Sequence, residues 1–131
     1  MLPPSPSSSL SRRRVLLWLP PLVYAAAIFT FSAQSDPMPA LTAAVWDKAL
    51  HWIEYGGLAL LLCRAFRGEG YAWLAACLLA AVVASGYAVS DEWHQSMVPG
   101  RNSDVRDWVA DTIGAAFGVT LYCFAARRFE P

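Results

Sequence analysis

Long apolar runs alternate with short polar connections along most of this chain. Four runs of about 17 to 19 residues can each cross a hydrocarbon core ~30 Å thick as a helix. They cover Val15–Phe31, Ala49–Phe66, Tyr71–Val89 and Trp108–Ala126. The third run contains no charged residue, so as a helix it has no polar face to offer to water. The pattern therefore predicts an all-α membrane protein with four transmembrane helices rather than a soluble bundle.

Composition and length agree with this interpretation. The 131 residues are 56% hydrophobic and 15% charged, whereas an average soluble domain is about 25% charged. The four runs and their links fill residues 15–127, so we expect one four-helix membrane domain over that range. Residues 1–14 begin with the Pro- and Ser-rich stretch "MLPPSPSSSL" and are predicted to form a disordered cytoplasmic tail.

The distribution of basic residues predicts the orientation. With the N-terminus in the cytoplasm, seven arginines fall at inner helix ends and only three basic residues at outer ends, as the positive-inside rule prefers. The inner group is Arg12, Arg13, Arg14, Arg64, Arg67, Arg127 and Arg128, and the outer group is Lys48, Arg101 and Arg106. We therefore expect both termini to be cytoplasmic. "SRRRVLL" also resembles an export signal, but three apolar runs follow it, so the arginines are interpreted as an anchor of the first helix.

Prolines and cysteines inside the apolar runs have simple interpretations. Pro20 and Pro21 are predicted to bend or interrupt the first helix. Cys63, Cys77 and Cys123 each lie alone in an apolar run and have no CxxC spacing. They are predicted to be small packing residues, and no disulfide framework is expected.

Ionisable residues concentrate where the apolar runs begin and end. At 100° per residue, helices two to four each carry a polar stripe near one end. The stripes contain Asp47, His51, Glu54 and Tyr55; Tyr87, Asp91, His94 and Gln95, with Glu92 to one side; and Asp104, Asp107 and Asp111. In the expected orientation all of them lie at outer ends, so we predict an outward-facing polar cluster. The spacing leaves open whether this cluster is functional or structural, because polar groups also hold membrane helices together.

The fourth helix has two further local signals. Asn102, Ser103 and Asp104 are candidates to cap its start, after a turn at Pro99-Gly100. Gly114 and Gly118 form a GxxxG motif on the side of the aspartates, which favours close helix packing within the monomer or in a homodimer.

Together these segments resemble the VanZ-like family of small bacterial membrane proteins. The resemblance is carried by "DKALHWIEYGGLALLL", "SDEWHQSMVPGR" and "DVRDWVADTIGAAFG", and "FSAQS" fits a Ser-x-Gln of that family. Its most specific combination is Glu92-x-x-Gln95, Arg101, Asp107 and Gly114-x-x-x-Gly118. Position 111 is often Asn in the family and is Asp here. The resemblance implies a multi-pass protein of the bacterial cytoplasmic (inner) membrane, and the family is named after a member associated with teicoplanin resistance.

The first functional hypothesis is binding of an envelope lipid headgroup or a cell-wall precursor at the outer leaflet. Arg101 is a suitable clamp for a phosphate or carboxylate. The expected binding residues are Glu92, Gln95, Arg101, Asp107 and Asp111, facing His51, Glu54 and Tyr55. However, eight carboxylates on the outer side face three basic groups and two histidines, so an anion would meet a negative field.

Three alternatives stay open beside that hypothesis. In an enzyme, Glu92 or His94 would be the general base and Arg101 the electrophilic stabiliser, although no nucleophile motif is evident. A divalent metal would instead use the i, i+3 pairs on helices two and three, completed by Asp107 or Asp111. Those pairs are His51-x-x-Glu54 and Asp91-x-x-His94. The third alternative is a structural polar cluster without a ligand. Nucleic-acid binding is not expected, because the basic residues are scattered.

Overall fold

The computed structural model describes residues 6–35, 40, 46–101 and 103–129. Within those ranges the chain forms four long helices and no strand. They are α1 (Pro6–Ser32), α2 (Asp47–Gly68), α3 (Trp73–Gln95) and α4 (Val105–Phe129). The all-α fold predicted from the apolar runs is therefore confirmed.

The helices extend beyond the apolar runs that predict them. Helix α3, for example, continues through the polar stretch from Ser90 to Gln95, because helical hydrogen bonding does not stop where hydrophobicity does. Helix α1 includes residues 6–14, which the sequence assigns to a disordered tail, while residues 1–5 lie outside the described ranges. The tail assignment thus stays a prediction. Pro20 and Pro21 lie inside α1 and do not interrupt it.

Three of the helices are long and apolar enough to cross a membrane, namely α1 over Leu10–Ser32, α3 over Trp73–Gln95 and α4 over Val105–Arg128. Their outward surfaces carry large apolar side chains. For example, Leu22 is 63% exposed, Val82 68% and Phe124 76%. Such a surface suits lipid rather than water. Helix α2 is less apolar than these three.

Helix α2 packs most extensively against α4, and glycines make the close approach possible. A Cβ atom on Gly114 would collide with the carbonyl oxygen of Trp52, and one on Gly118 with the carbonyl oxygen of Gly56. This is the packing within the monomer that the GxxxG motif allows. A homodimer through the same glycines stays a prediction.

Helix α3 contributes a face of small residues to the same core. Ala76, Ala80, Ala84 and Ala88 recur every four residues and are all completely buried. Because residues four apart lie on one face of a helix, this stripe lets α3 approach α2 and α4 closely. Its opposite face carries the exposed apolar residues.

The bundle has two chemically different ends. At the polar end α1 and α3 finish and α2 and α4 start; at the basic end the reverse holds. At the basic end, α1 is fixed to the α2–α3 turn by Arg13, whose Nη2 donates to the carbonyl of Gly68 (2.5 Å), and by Trp18, whose Nε1 donates to Glu69 (3.0 Å). At the polar end, Ser35 donates to the carbonyl of Pro99 (2.8 Å).

Candidate functional site

Most of the buried polar side chains of the described residues lie at the polar end of the bundle. They come from all four helices, which end or begin there. This group comprises Ser32, His51, Asp91, Glu92, Gln95, Asp107 and Asp111. Counted over the whole residue, each is at most 7% exposed. Five of them, His51, Glu92, Gln95, Asp107 and Asp111, are binding candidates from the sequence.

The centre of this group is a trio from three helices. His51 of α2 has its Nδ1 3.0 Å from Asp111 Oδ1 of α4. Glu92 of α3 completes the trio, because one ligand atom from each of the three residues lies within 4.8 Å of the others. His51 is 7% exposed, Glu92 6% and Asp111 1%. An imidazole and two carboxylates are thus held together inside the bundle.

Each carboxylate of the trio has one oxygen without a hydrogen-bond partner among the described residues. Glu92 Oε1 and Asp111 Oδ2 are buried and accept no hydrogen bond from the described residues. Leaving a buried acceptor unsatisfied costs about 1–3 kcal/mol, and more for a charged group. Two such atoms beside one imidazole form a site suited to a cation.

The other oxygen of Glu92 fixes the start of α4. Glu92 Oε2 accepts a hydrogen bond from the backbone N–H of Asp104 (3.0 Å). Asp104 is in turn the N-cap of α4, since its Oδ1 accepts from the backbone N–H of Arg106 (2.8 Å). That hydrogen bond holds the pKa of Asp104 below its ordinary value. One side chain therefore links α3 to the first turn of α4.

Lys48 lies at the rim of the trio, one turn before His51. Its Nζ pairs with Asp107, and it also lies 3.6 Å from Asp104 Oδ2 and 3.9 Å from Asp47 Oδ2. The Lys48 side chain is 21% exposed, whereas that of Asp107 is 9% exposed. Lys48 thus neutralises part of the negative charge beside the trio, but its ammonium group binds Asp107 rather than a residue of the trio.

A second branch of polar contacts joins α3 to α1. Asp91 Oδ2 accepts hydrogen bonds from Ser32 Oγ (2.8 Å) and from Gln95 Nε2 (2.9 Å). Asp91 Oδ1 and the hydroxyl of the fully buried Tyr55 have no hydrogen-bond partner among the described residues.

Three candidates from the sequence lie apart from the trio. Arg101 Nε donates to the carbonyl of Gln34 (2.9 Å) at the end of α1, so its guanidinium group holds α1 in place. The ring of His94 stacks on Phe29 with centroids 4.4 Å apart. Glu54 is half-buried and makes no hydrogen bond to any described residue. The metal set predicted from His51, Glu54, Asp91 and His94 is not brought together; His51, Glu92 and Asp111 are.

A comparison with protein-family models adds an independent finding. The VanZ/LLP1 family model matches residues 3–126 of the 131. The chain belongs to the VanZ/LLP1 family. Neither the search of the curated proteins nor the search of the solved structures gave a match.

The family assignment places this VanZ-like chain among membrane proteins, in agreement with its apolar helices. The structure also gives the Ser-x-Gln of the resemblance a location. Ser32 binds Asp91, and the carbonyl of Gln34 accepts from Arg101. In the sequence, Ser32 and Lys48 stand out only weakly, since each is one polar residue near the end of an apolar run.

Proposed function

We propose that this protein binds a divalent metal ion through His51, Glu92 and Asp111, and that the ion holds the anionic headgroup of an envelope lipid or a cell-wall precursor. The observation that carries the proposal is the buried trio itself. Its ligand atoms lie within 4.8 Å of one another, and two carboxylate oxygens in it have no hydrogen-bond partner among the described residues. These are features that a bound cation would explain.

The metal ion removes the charge conflict that the sequence raises against anion binding. Around the trio lie Asp91, Asp104 and Asp107 in addition to Glu92 and Asp111, so a bare phosphate would be repelled. Arg101, the expected anion clamp, uses its Nε to bind the end of α1. A divalent ion would neutralise the two carboxylates of the trio and offer a positive centre, and a phosphate oxygen can then complete its coordination.

The donor set favours a first-row transition ion. Imidazole suits Zn²⁺ and Fe²⁺, while carboxylate oxygens also suit Mn²⁺ and Mg²⁺. One nitrogen and two oxygens from protein leave at least one coordination position for a ligand, as in open zinc sites. Asp111 stands where the family often has Asn, whose amide oxygen is also a metal ligand, so both residues are compatible with this role.

A groove beside the trio offers a path for a lipid. It runs between α3 and α4 and is lined by Val89, Glu92, Trp93, Ser103, Asp104 and Trp108. Glu92 therefore belongs both to the groove and to the trio. Trp93 and Trp108 are the aromatic residues that membrane–water interfaces favour. An acyl chain along the apolar wall would place its headgroup next to Glu92.

The orientation follows from the positive-inside rule, and we assign α2 as the fourth transmembrane helix. At 22 residues it is about 33 Å long, enough to cross the hydrocarbon core. His51 and Tyr55 of this helix do not forbid crossing, because both are buried in the bundle rather than exposed to lipid. With both termini in the cytoplasm, the trio faces the outer leaflet of the bacterial cytoplasmic membrane.

The first test is metal analysis of the full chain purified in mild detergent. Wild-type protein dialysed against Zn²⁺ or Mn²⁺ is expected to retain about one ion per chain, and Glu92→Gln to lose it. Glu69→Gln is the matched control, since it removes a carboxylate at the basic end. Native mass spectrometry of the same samples would then detect a co-purifying lipid that is lost together with the ion.

The outcomes separate the alternatives. Folded wild-type protein that retains no ion overturns the metal proposal and leaves a structural polar cluster or a metal-free enzyme. An ion without a lipid overturns the headgroup part alone. A lipid that is retained equally by wild type and Glu92→Gln would mean that binding does not use the trio.

A second candidate function is supported by the His51–Asp111 pair. A buried carboxylate bonded to an imidazole is the arrangement that orients a histidine as a general base. The two candidates exclude each other for His51, which cannot ligate a metal and take a proton with the same nitrogen. To distinguish the two candidate functions, wild type and His51→Ala are each incubated with a bacterial polar-lipid extract and product formation is measured. Product formation that requires His51 without added metal would favour the enzyme.

The family name suggests a phenotype in the cell. A bacterial strain that expresses the wild-type chain is expected to tolerate more teicoplanin or other envelope stress than one that expresses Glu92→Gln. Glu69→Gln at equal membrane abundance serves again as the control. If all strains are equally sensitive to teicoplanin and envelope stress, this chain does not confer the resistance for which the family is named.

A further inference from the structure

The three cysteines of the chain, one each from α2, α3 and α4, meet near the basic end of the bundle. Cys63 Sγ lies 3.9 Å from Cys77 Sγ, and Cys77 Sγ lies 2.8 Å from Cys123 Sγ. All three sulfurs lie within 4.8 Å of one another. The sequence predicts separate packing residues here, because nothing in the spacing of positions 63, 77 and 123 reveals that they share one level of the bundle.

One of these distances is shorter than ordinary packing of two thiols allows. Even carbon atoms, which are smaller than sulfur, sit about 3.5–4.0 Å apart at optimal contact, whereas Cys77 and Cys123 are 2.8 Å apart. Cys63 is completely buried beside them. The backbones of three helices thus bring three sulfur atoms within 4.8 Å of one another.

Positive charge lies one turn beyond two of these cysteines. Arg67 follows Cys63 by four residues and Arg127 follows Cys123 by four, so each lies on the same helix face as its cysteine. Both guanidinium groups lie over the ring of Trp73, at 4.1 Å and 5.3 Å from its centroid. Trp73 is itself one turn before Cys77. Two cations therefore border the sulfur cluster and would offset thiolate charge.

We propose that Cys63, Cys77 and Cys123 bind a single Cu(I) ion as a trigonal thiolate site. Soft thiolates select Cu(I) and Zn²⁺ among common ions. Structural Zn²⁺ sites are almost always four-coordinate, and among the described residues only these three Cys, His, Asp or Glu side chains cluster here. Three thiolates and one Cu(I) leave two negative charges, which Arg67 and Arg127 balance. Binding converts each thiol to a thiolate, so one proton is released per sulfur.

The geometry needs only a small adjustment. Metal–thiolate bonds of about 2.3 Å place the sulfurs of a trigonal site about 4 Å apart. The Cys63–Cys77 separation of 3.9 Å already agrees, whereas Cys123 must move away from Cys77. Both Cys77 and Cys123 are only partly buried, so their side chains have room to do so.

A Cys77–Cys123 disulfide is the competing outcome, and the orientation argues against it. With the basic end facing the cytoplasm, the cysteines lie on the reducing side of the membrane, where disulfides are rare. The site is one to two helical turns from this end: Cys77 is four residues from the start of α3, and Cys63 five from the end of α2. Cytoplasmic Cu(I) can therefore reach it.

The test uses the full chain in detergent, kept reduced and titrated with Cu(I) in competition with the chelator bathocuproine disulfonate. Wild type is expected to take about one Cu(I) per chain. Each of Cys63→Ala, Cys77→Ala and Cys123→Ala is expected to weaken binding by about tenfold or more, since even supporting residues of metal sites cost 10–100-fold. Tyr122→Phe is the matched control, because it changes a neighbour of Cys123 but keeps every thiol.

A measurement on wild type alone guards against misfolded variants: bound Cu(I) should protect three thiols per chain from alkylation by a maleimide. Copper uptake no greater than that of the triple alanine variant overturns the proposal. A disulfide would overturn it too: in protein denatured and alkylated at lysis, the intact mass would then show one alkylated cysteine instead of three and the loss of two hydrogens. His51→Ala should still bind Cu(I), so Cu(I) binding by the cysteines is tested independently of the proposed metal site at the polar end.

Discussion

His51 Nδ1 lies 3.0 Å from Asp111 Oδ1, and this buried contact joins the second turn of α2 to the second turn of α4. Both side chains are far enough from the helix ends to need a protein partner, since an ionisable group in a membrane interior is costly unless paired. The pair therefore contributes to helix association whether or not a metal ion binds.

The first prediction separates the charge of Asp111 from its hydrogen bond. Asp111→Asn keeps an oxygen that can accept from His51, so the fold is expected to persist while metal retention weakens. Asp111→Ala removes the bond and leaves buried His51 without its partner, which should cost about 1–3 kcal/mol of stability. Thermal unfolding in detergent and metal content measure the two effects. Equal stability of the two variants would show that the hydrogen bond contributes little.

The second prediction concerns the contact between α2 and α4. Gly118→Ala places a methyl group against the carbonyl oxygen of Gly56, and overpacking of this kind costs about 1–3 kcal/mol. Gly86→Ala is the matched control, because nothing lies within 4 Å of the added Cβ in the middle of α3. That variant should gain up to about 1 kcal/mol from helix propensity. Unfolding midpoints that fall equally for both would contradict the assigned packing.

Helix wheels predict part of this site and miss the rest for a physical reason. They place His51, Asp107 and Asp111 on inward faces, because each position depends only on its own helix. They also put Glu92 to one side and His94 inward, whereas the structure brings Glu92 to the trio and His94 against Phe29. The rotation of α3 relative to its neighbours is set by the fit of its alanine stripe, which a single-helix pattern does not contain.

The same limit explains the residues that depend on connections between helices. The local sequence predicts that Arg101 is an anion clamp. In the structure its guanidinium group binds the end of α1, some 67 residues earlier in the chain. The three cysteines meet because α2, α3 and α4 happen to bring them to the same depth. The four helices could be predicted from hydrophobicity. The position of each helix along the bundle axis, relative to its neighbours, could not.

The third prediction concerns the ion pair at the rim. Lys48→Met leaves Asp107, which is 9% exposed, without its nearest cation, and should destabilise the fold by roughly 1–3 kcal/mol. This is less than the 3–5 kcal/mol lost on breaking a fully buried pair, because the Lys48 side chain is partly exposed. Lys48→Arg preserves the charge and is expected to remain near wild type. Adding Asp107→Asn to Lys48→Met should restore much of the loss, and a failure to do so would argue against the pairing.

The fourth prediction distinguishes two roles of Arg101. If its guanidinium group mainly holds the end of α1, Arg101→Lys should lower the unfolding midpoint while leaving metal and lipid retention per folded chain unchanged. Lysine cannot reproduce the fixed fork of arginine donors. Arg106→Lys provides the control, since the Arg106 side chain is exposed. Loss of a bound lipid without any loss of stability would instead support the anion clamp expected from the sequence.

The last prediction tests the orientation and the crossing of α2 together. In a background with all three natural cysteines changed to alanine, Trp46→Cys introduces a thiol just before α2, at a residue that is 74% exposed, and Tyr71→Cys one just after it, at a residue 46% exposed. A membrane-impermeant maleimide added to intact cells should label Trp46→Cys, whereas Tyr71→Cys should react only after permeabilisation. This outcome follows from seven inner against three outer basic residues. Labelling of both thiols in intact cells would mean that α2 does not cross, and the reversed pattern would turn the trio toward the cytoplasm.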